Sequence, residues 1–477
     1  MAELVWELIK KMNAYEKAFF KKQYNAQLNS ENLIYFKIFN KLNAQSVYNE
    51  KEFGKEFGNS NQISRMKNYL NELLLSSLVS YNSNSDNYLK SKKHLSYARL
   101  LYYKGMISQS KRQLIKTIRI CKENIDFYSE LESWSYLRKI YHFELDEELF
   151  NSALIEEQNI FYILSEIQDF ERLHFEISNI AFNRGNILSN ENLQKYNQII
   201  SHPRFDDVEK CSSIIAVSYF YRIRTMYDEM TRNMQNFYKN ALLRYETLKE
   251  TNYFSVVVWE HINTLNNLIE SCLFLDKFEE AEYYSQLLSD INTNSVYLDA
   301  RKQIRYLVLL LHTSLASKKN INLDELEIIV KKTLEIPTLL IRKDERVEIL
   351  ALMAILYFNQ RSYKGAKKYI NEFNKLPKSK ARIDLQIYFT IISYFIYFHT
   401  DDLEYLSYLL KKNENLLFKE KAFNKFELKL IQFLKLEIPK KQLDRQIGQQ
   451  FSVFNDEFSI SGNVINNYNI GKYINFN

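Results

Sequence analysis

Residues 350–377 read LALMAILYFNQRSYKGAKKYINEFNKLP. Leu350, Met353 and Tyr357 fall at the spacing of a helix with one buried face, and a short polar break follows at residues 359–362. A second amphipathic segment comes after the break, and Pro377 predicts its end because proline cannot continue a helix. The stretch therefore predicts two antiparallel helices joined by a short turn.

Small residues in both predicted helices allow the two backbones to approach. Ala354 lies on the first helix and Ala366 on the second, while Tyr363 fills the space at the turn. In order and spacing this stretch resembles the tetratricopeptide repeat (TPR), in which W-x2-L-G-x2-Y is followed by A-x3-F and then by proline. The residues that carry the resemblance are Leu350, Met353, Ala354, Tyr357, Ala366, Ile370 and Pro377.

A second unit repeats this scheme at residues 265–288, LNNLIESCLFLDKFEEAEYYSQLL. The 85 residues from Ala281 to Ala366 are two and a half times the TPR period of about 34, so irregular units must intervene. No unit carries the full motif. The matching residues of the second unit are Leu265, Leu268, Cys272, Phe278 and Ala281, and those of two weaker units are Tyr97, Ala98, Leu101 and Ser110, and Tyr394, Tyr397 and Leu406.

The opening residues resemble the N-terminal region of uncharacterised bacterial TPR-type proteins. A Tyr-Glu-Lys-x-x-Phe stretch at residues 15–20 precedes a Lys-Asn-Tyr-Leu stretch at residues 67–70. Together these resemblances imply an all-α protein, a TPR-like α-solenoid of antiparallel helix pairs. The expected domains are an N-terminal helical cap at 1–90, the repeat array at 91–438 and a C-terminal tail at 439–477.

Composition supports a helical array. Only eight glycines and four prolines occur in 477 residues, so turns that need a positive φ should be rare. The 64 basic and 58 acidic residues are interspersed, which describes a solvated surface rather than a polycation. The three cysteines have no paired spacing, and the N-terminus lacks the apolar stretch of a signal peptide, so we expect a reducing cytoplasm. The uncharged run at residues 385–400 is too short to span a bilayer.

Residues 52–74, EFGKEFGNSNQISRMKNYLNELL, could instead form a DNA-reading helix-turn-helix with Gly58 in the turn. Ile63 and Met66 fall one residue early for that motif, and the apolar series continues to Tyr81. A long structural helix is therefore the favoured interpretation. Lysines of the first helix could bind phosphate, but acidic residues in the same segment favour a solvated face.

Enzyme signatures are missing from the sequence. Glycine is too sparse for a phosphate-binding loop, and there is no GxSxG or HExxH motif. His142 with the carboxylates of residues 144–148 is the only local cluster of this kind, and an exposed acidic helix end explains it more simply. We expect no catalytic activity, no metal and no cofactor.

One helix carries a candidate binding stripe. In residues 263–274, polar side chains recur at helical spacing about 200° around the helix from the apolar stripe of Leu265, Leu268, Ile269 and Cys272. Amides donate and accept hydrogen bonds at once, which suits the backbone of an extended peptide, while an ordinary solvated face is the alternative. The candidate binding residues are Asn263, Asn266, Asn267 and Glu270, with a weaker counterpart at Lys92, Ser96, Arg99 and Tyr103.

The sequence thus predicts a protein- or peptide-binding scaffold that uses the concave face of a helical-repeat array. The alternative is a regulator that couples ligand binding in the array to nucleic-acid binding by the N-terminal region, although the sequence does not favour nucleic acid as a partner. The tail contains Gly462-Asn463 between two β-prone runs, which indicates a hairpin. Such a tail could occupy the groove of its own chain or join copies into a homo-oligomer.

Overall fold

The computed structural model confirms an all-α protein. It holds nineteen α-helices and no strand in the part of the chain it describes. The described residues are 2–25, 30–49, 57, 60–184, 190–293, 295–316, 322–337, 340–376, 389–390, 393–394, 396–397, 400 and 402–420. Three predicted features lie outside these residues: Gly58 in the turn of the alternative helix-turn-helix, the helix end at Pro377, and the tail at 439–477.

The chain divides into two compact units, Met1–Leu164 and Ser165–Asn477. The helices of the first unit are α1 (Ala2–Lys11), α2 (Ala14–Asn25), α3 (Ser30–Ala44), α4 (Ser60–Asn82), α5 (Asn87–Tyr103), α6 (Ile107–Asn124) and α7 (Phe127–Glu144), and α8 (Glu147–Arg184) continues into the second. The second unit adds α9 (Asn190–Ile200), α10 (Ile214–Thr231), α11 (Met234–Lys249), α12 (Tyr253–Val256), α13 (Val258–Phe274), α14 (Phe278–Asp290), α15 (Val296–Ala316), α16 (Leu323–Leu334), α17 (Lys343–Asn359), α18 (Tyr363–Asn374) and α19 (Leu403–Glu420).

The N-terminal helices α1–α3 pack on the long helix α4. Its apolar series faces inward, with Ile63, Leu70 and Leu74 buried against Ile9 and Phe39. These contacts explain why the helix continues over 23 residues, since an interrupted helix would leave part of that series exposed. The prediction of one long structural helix in this region is confirmed.

Helices α5, α6 and α7 contact one another in sequence order. The hydroxyl of Ser110 donates a hydrogen bond to the carbonyl of Ala98 at 2.8 Å, so small residues allow α5 and α6 to approach closely. The connection after α7 turns at Leu145, which adopts φ 56°. Positive φ is rare in the described residues, as the sparse glycine predicts, but most of the turns that use it fall on residues other than glycine. The five such residues are Ile125, Leu145, Arg232, Asp276 and Arg361.

In the second unit, consecutive helices form contacting pairs: α10 with α11, α13 with α14, α15 with α16, and α17 with α18. The first helices of the pairs also contact one another, α13 with α15 and α15 with α17. Both stretches that resemble a TPR fold as two helices with a three-residue turn, at residues 275–277 and 360–362. These contacts are consistent with stacked helix pairs.

The pair α17–α18 encloses the largest group of apolar contacts around Ala354 and Ala366, both fully buried. Gly365 also lies at this close approach: a Cβ atom placed on it would lie 2.2 Å from Cδ1 of Tyr357. The Tyr357 ring is held there because its hydroxyl donates to Glu327 at 2.5 Å and its face stacks on Tyr369 at 5.6 Å. The tight crossing therefore depends on a glycine as well as on alanines.

Candidate functional site

Helix α13 carries the candidate stripe beside its buried apolar side. Leu265, Leu268, Ile269 and Cys272 are fully buried, as their spacing predicts. The stripe of Asn263, Asn266, Asn267 and Glu270 is less exposed than a solvated surface: Asn266 is buried with 4% exposure, and the other three are half-buried. Their ability to bind a partner stays a prediction.

Two amide atoms of this stripe are buried and unpaired. The Nδ2 atom of Asn263, a donor, and the Oδ1 atom of Asn266, an acceptor, have no hydrogen-bond partner among the described residues. A buried polar group without a partner costs free energy, commonly about 1–3 kcal/mol. One donor and one acceptor on neighbouring turns of a helix are therefore left without a hydrogen bond within the described part of the chain.

Glu270 stands at the far end of the stripe. Burial raises the pKa of its carboxyl group, and the negative charge of Glu348 adds to that rise. The charges of Arg305 and His312 and a hydrogen bond from Asn266 act in the opposite direction but do not cancel it. Burial thus outweighs the compensation that the protein provides, so the ionised carboxylate would be stabilised further by a positive charge brought by a ligand.

Helices α15 and α17 contribute a buried ion pair next to α13. Arg301 donates from Nη1 and Nη2 to the two carboxylate oxygens of Glu345, each at 2.6 Å. Burial alone would raise the pKa of Glu345, but the hydrogen bonds from Arg301 and the charges of Arg305 and Arg342 lower it overall. The Arg301 guanidinium also lies 5.5 Å from the ring of Trp259 on α13. Through these contacts Arg301 links the three helices.

Arg305 and His312, both on α15, add basic groups to this face. The Nε atom of Arg305 is buried without a hydrogen-bond partner among the residues described here, although its Nη2 atom lies 3.5 Å from Glu345. His312 lies with Nε2 3.3 Å from the Oε1 atom of Glu348. We call the side of the molecule formed by the α13 stripe with Arg305, His312 and Glu348 the polar face. The polar face can form hydrogen bonds through its amides, and its carboxylates lie close to basic side chains.

The weaker candidate set lies on α5, in the other unit. Ser96, Arg99 and Tyr103 are exposed, and the Ser96 hydroxyl donates to the Lys92 carbonyl of its own helix at 2.8 Å. The Lys92 ammonium lies 5.4 Å from the Tyr88 ring. These residues form an open surface without the burial seen on α13, and each set is confined to its own unit.

One basic residue of the possible DNA-reading helix is buried. Lys67, which would face the major groove in a recognition helix, is buried with 1% exposure and donates to the Tyr48 hydroxyl at 2.9 Å. Its ammonium also lies 5.2 Å from the Tyr48 ring. Because that charge is occupied inside the helical cluster, it is not available to a phosphate. The absence of nucleic-acid binding stays a prediction.

The three cysteines and the acidic residues beside His142 were the other candidates for catalysis or metal binding. Burial raises the pKa of each thiol, Cys121, Cys211 and Cys272, to about 12, so none is a thiolate at neutral pH. Glu144, beside His142, accepts from Lys111 at 2.8 Å. No cluster of histidine, cysteine, aspartate and glutamate suited to a metal occurs in the described ranges. Nor is any described helix long and apolar enough to cross a bilayer.

The sequence analysis did not predict that charged side chains of α15 and α17 lie near the α13 stripe. A signal was present, because Arg301, Arg305 and His312 repeat at helical spacing on α15, and Glu345 and Glu348 do so on α17. Which helix faces which could not be read from that spacing. No family model, curated protein or solved structure matches this chain, so the resemblance to TPR proteins rests on its quoted residues.

Proposed function

We propose that this protein is a non-enzymatic scaffold of TPR-like helix pairs that binds an extended peptide segment of a partner protein on the polar face. The contacts between consecutive helix pairs support the repeat arrangement. The buried Arg301–Glu345 pair, which joins α15 to α17, and the approach of Arg301 to Trp259 on α13 support a preformed surface. A reducing cytoplasm remains the proposed location.

The observation that carries this proposal is the unpaired donor of Asn263 beside the unpaired acceptor of Asn266. Each residue of an extended peptide presents one N–H and one C=O group. Once the side chains that cover these two atoms move aside, a peptide that accepts from Asn263 and donates to Asn266 would satisfy both amides, and each hydrogen bond would contribute about 0.5–1.5 kcal/mol. Main-chain contacts of this kind provide affinity without demanding a particular side chain.

Charge on the polar face adds a preference for basic side chains. Glu270 is held with a raised pKa by burial and by Glu348, so a lysine or arginine of the peptide would stabilise the ionised form of Glu270. A desolvated ion pair of this kind favours correctly charged partners over wrong ones. The proposed ligand is therefore an extended segment with a basic side chain next to its hydrogen-bonded main chain.

Panning a random peptide display library on the full chain, followed by calorimetric titration of the recovered peptides, tests this function. We expect enrichment of peptides with lysine or arginine. Asn263→Ala should weaken their binding by roughly two- to tenfold, which is the loss of one hydrogen bond. Glu270→Gln should weaken lysine-containing peptides more than variants of the same peptides with the lysine replaced by alanine.

The matched control is Asn236→Ala, since Asn236 is an exposed asparagine of the same unit. This variant should bind the peptides as the parent does. A library that yields no enriched peptide, or peptides that bind parent, Asn263→Ala and Glu270→Gln equally, would refute the assignment of this face as a peptide site.

A further inference from the structure

A second polar cluster lies where α10, α11 and the first turn of α13 meet. Arg222 donates from Nη1 to the Oε1 atom of Glu260 at 3.0 Å, and Arg244 donates from Nη2 to the Oε2 atom of the same carboxylate. The Ser218 hydroxyl lies 3.2 Å from both Arg244 Nη2 and Glu260 Oε2. Three helices thus bring two guanidinium groups to one carboxylate.

The charges of this cluster do not balance. Arg244 is fully buried, and burial lowers its pKa to about 10 while Glu260 opposes that shift, so it remains a cation at neutral pH. Its Nε and Nη1 donors find no hydrogen-bond partner within the described part of the chain. A buried cation with unused donors is costly unless an anion approaches it.

Neighbouring groups do not supply that anion. Burial, together with the charges of Arg222 and Arg244, lowers the pKa of His174 to about 3, so its imidazole is neutral at neutral pH. Burial and Glu260 raise the pKa of Tyr253, which keeps its phenol protonated. Glu171 is exposed near Tyr219 and makes no ion pair with either arginine among the described residues. One positive charge is left over.

We propose that Arg222 and Arg244 form a binding site for an oxyanion group, a carboxylate or a phosphate carried by a ligand. The Arg222 side chain is 21% exposed and provides the reachable half of the site, while Arg244 provides the buried donors. Guanidinium groups match both oxyanions because they present several N–H donors in one plane. The neutral His174 imidazole lies within the electrostatic range of both arginines, and its Nε2 atom is 3.4 Å from the Ser178 hydroxyl.

This oxyanion site does not depend on the proposed peptide site. Glu260 and Glu270 are ten residues apart on α13, which corresponds to about 15 Å along a helix axis. Occupancy of one site can therefore be measured while the other is empty. Failure of peptide panning would leave the oxyanion site standing, and the converse also holds.

Calorimetric titration of the full chain with inorganic phosphate, and separately with acetate, tests the site at an ionic strength held constant with sodium chloride. We expect saturable phosphate binding by the parent. Arg222→Gln should weaken it by roughly tenfold or more, because a charge-assisted contact is lost. Arg119→Gln is the matched control, since Arg119 is 82% exposed in the other unit, and it should bind as the parent does. Saturable acetate binding would assign carboxylates as ligands in addition to phosphates, whereas phosphate binding alone would assign phosphates.

Glu260→Gln should change phosphate affinity in the direction opposite to Arg222→Gln. A purely structural role of the two arginines would not produce that result. Without the Glu260 carboxylate the two arginines repel each other, so this variant should melt at a lower temperature than the parent and bind phosphate more tightly. Phosphate should then restore more of its melting temperature than it adds to the parent. A parent that binds neither anion, Arg222→Gln that binds phosphate as tightly as the parent, or Glu260→Gln that phosphate does not restore would overturn the proposal.

Discussion

Replacing Gly365 by alanine should destabilise the pair α17–α18 although alanine is the better helix former. In an open helix this change would stabilise by up to about 1 kcal/mol. Here the added Cβ atom would lie 2.2, 2.6 and 2.8 Å from three ring atoms of Tyr357. Carbon atoms in good contact are about 3.5–4.0 Å apart, so the ring has to move by more than about 1 Å.

The Tyr357 ring cannot move without loss. Its hydroxyl donates to the Glu327 carboxylate at 2.5 Å, its face stacks on Tyr369, and its side chain is buried. Overpacking of this kind costs about 1–3 kcal/mol, and loss of the hydrogen bond to a charged acceptor is of similar size. After subtracting the gain in helix propensity, we expect a net loss of about 1–2 kcal/mol.

Urea unfolding followed by far-ultraviolet circular dichroism measures this loss as a lower midpoint with an unchanged slope. The neighbouring position supplies the control: Lys364 is exposed one residue earlier in α18, so Lys364→Ala should be more stable than Lys364→Gly. The order of alanine and glycine should thus reverse between positions 364 and 365. Alanine being more stable at both positions would refute the close approach to Tyr357.

Leu145→Gly should stabilise the first unit by about 1 kcal/mol in urea unfolding, because Leu145 is 86% exposed and adopts a left-handed φ that costs an L-residue about 1–2 kcal/mol; Leu145→Ala keeps the Cβ atom and should show no gain. Burial raises the pKa of Glu270 in the folded protein, so the folded state holds its proton to higher pH and stability falls as the pH rises from the ordinary glutamate value through the raised one. Glu270→Gln should flatten that fall and stabilise the protein at neutral pH, and an unchanged pH profile of the melting temperature would count against the burial of this carboxyl group. Cys121 and Cys272 are buried with a pKa of about 12, so both should react with an aromatic disulfide reagent only after urea is added, and rapid reaction of the native protein would contradict their position.

Local periodicity was sufficient to predict the helices and several of their contacts. The buried series of α4 and the small residues Ala354 and Ala366 are features of single helices or of adjacent ones, which sequence spacing encodes directly. The role of Gly365 was not predicted, because the residue it meets depends on how two helices are rotated against each other. Leu145 was missed for another reason: a leucine carries no local signal of a left-handed turn.

The candidate site was predictable only on one helix. The stripe from Asn263 to Glu270 has the spacing of a single face, but its burial depends on the helices packed against α13, among them α11, α14 and α15. Arg301 and Glu345 are separated by 44 residues, so no window of sequence contains both partners of their ion pair. Tertiary packing, which local patterns do not specify, determined the electrostatics of the polar face.

Arg301 also has a consequence for how the second unit opens in solution. Its guanidinium touches Trp259 on α13 and donates to Glu345 on α17 and to the carbonyl of Leu340. Detaching α17 alone would strand a buried cation and a buried carboxylate, at a cost of about 3–5 kcal/mol beyond the lost packing. Amide hydrogens in α13, α15 and α17 should therefore exchange with deuterium through one shared opening, rather than helix by helix from a fraying end.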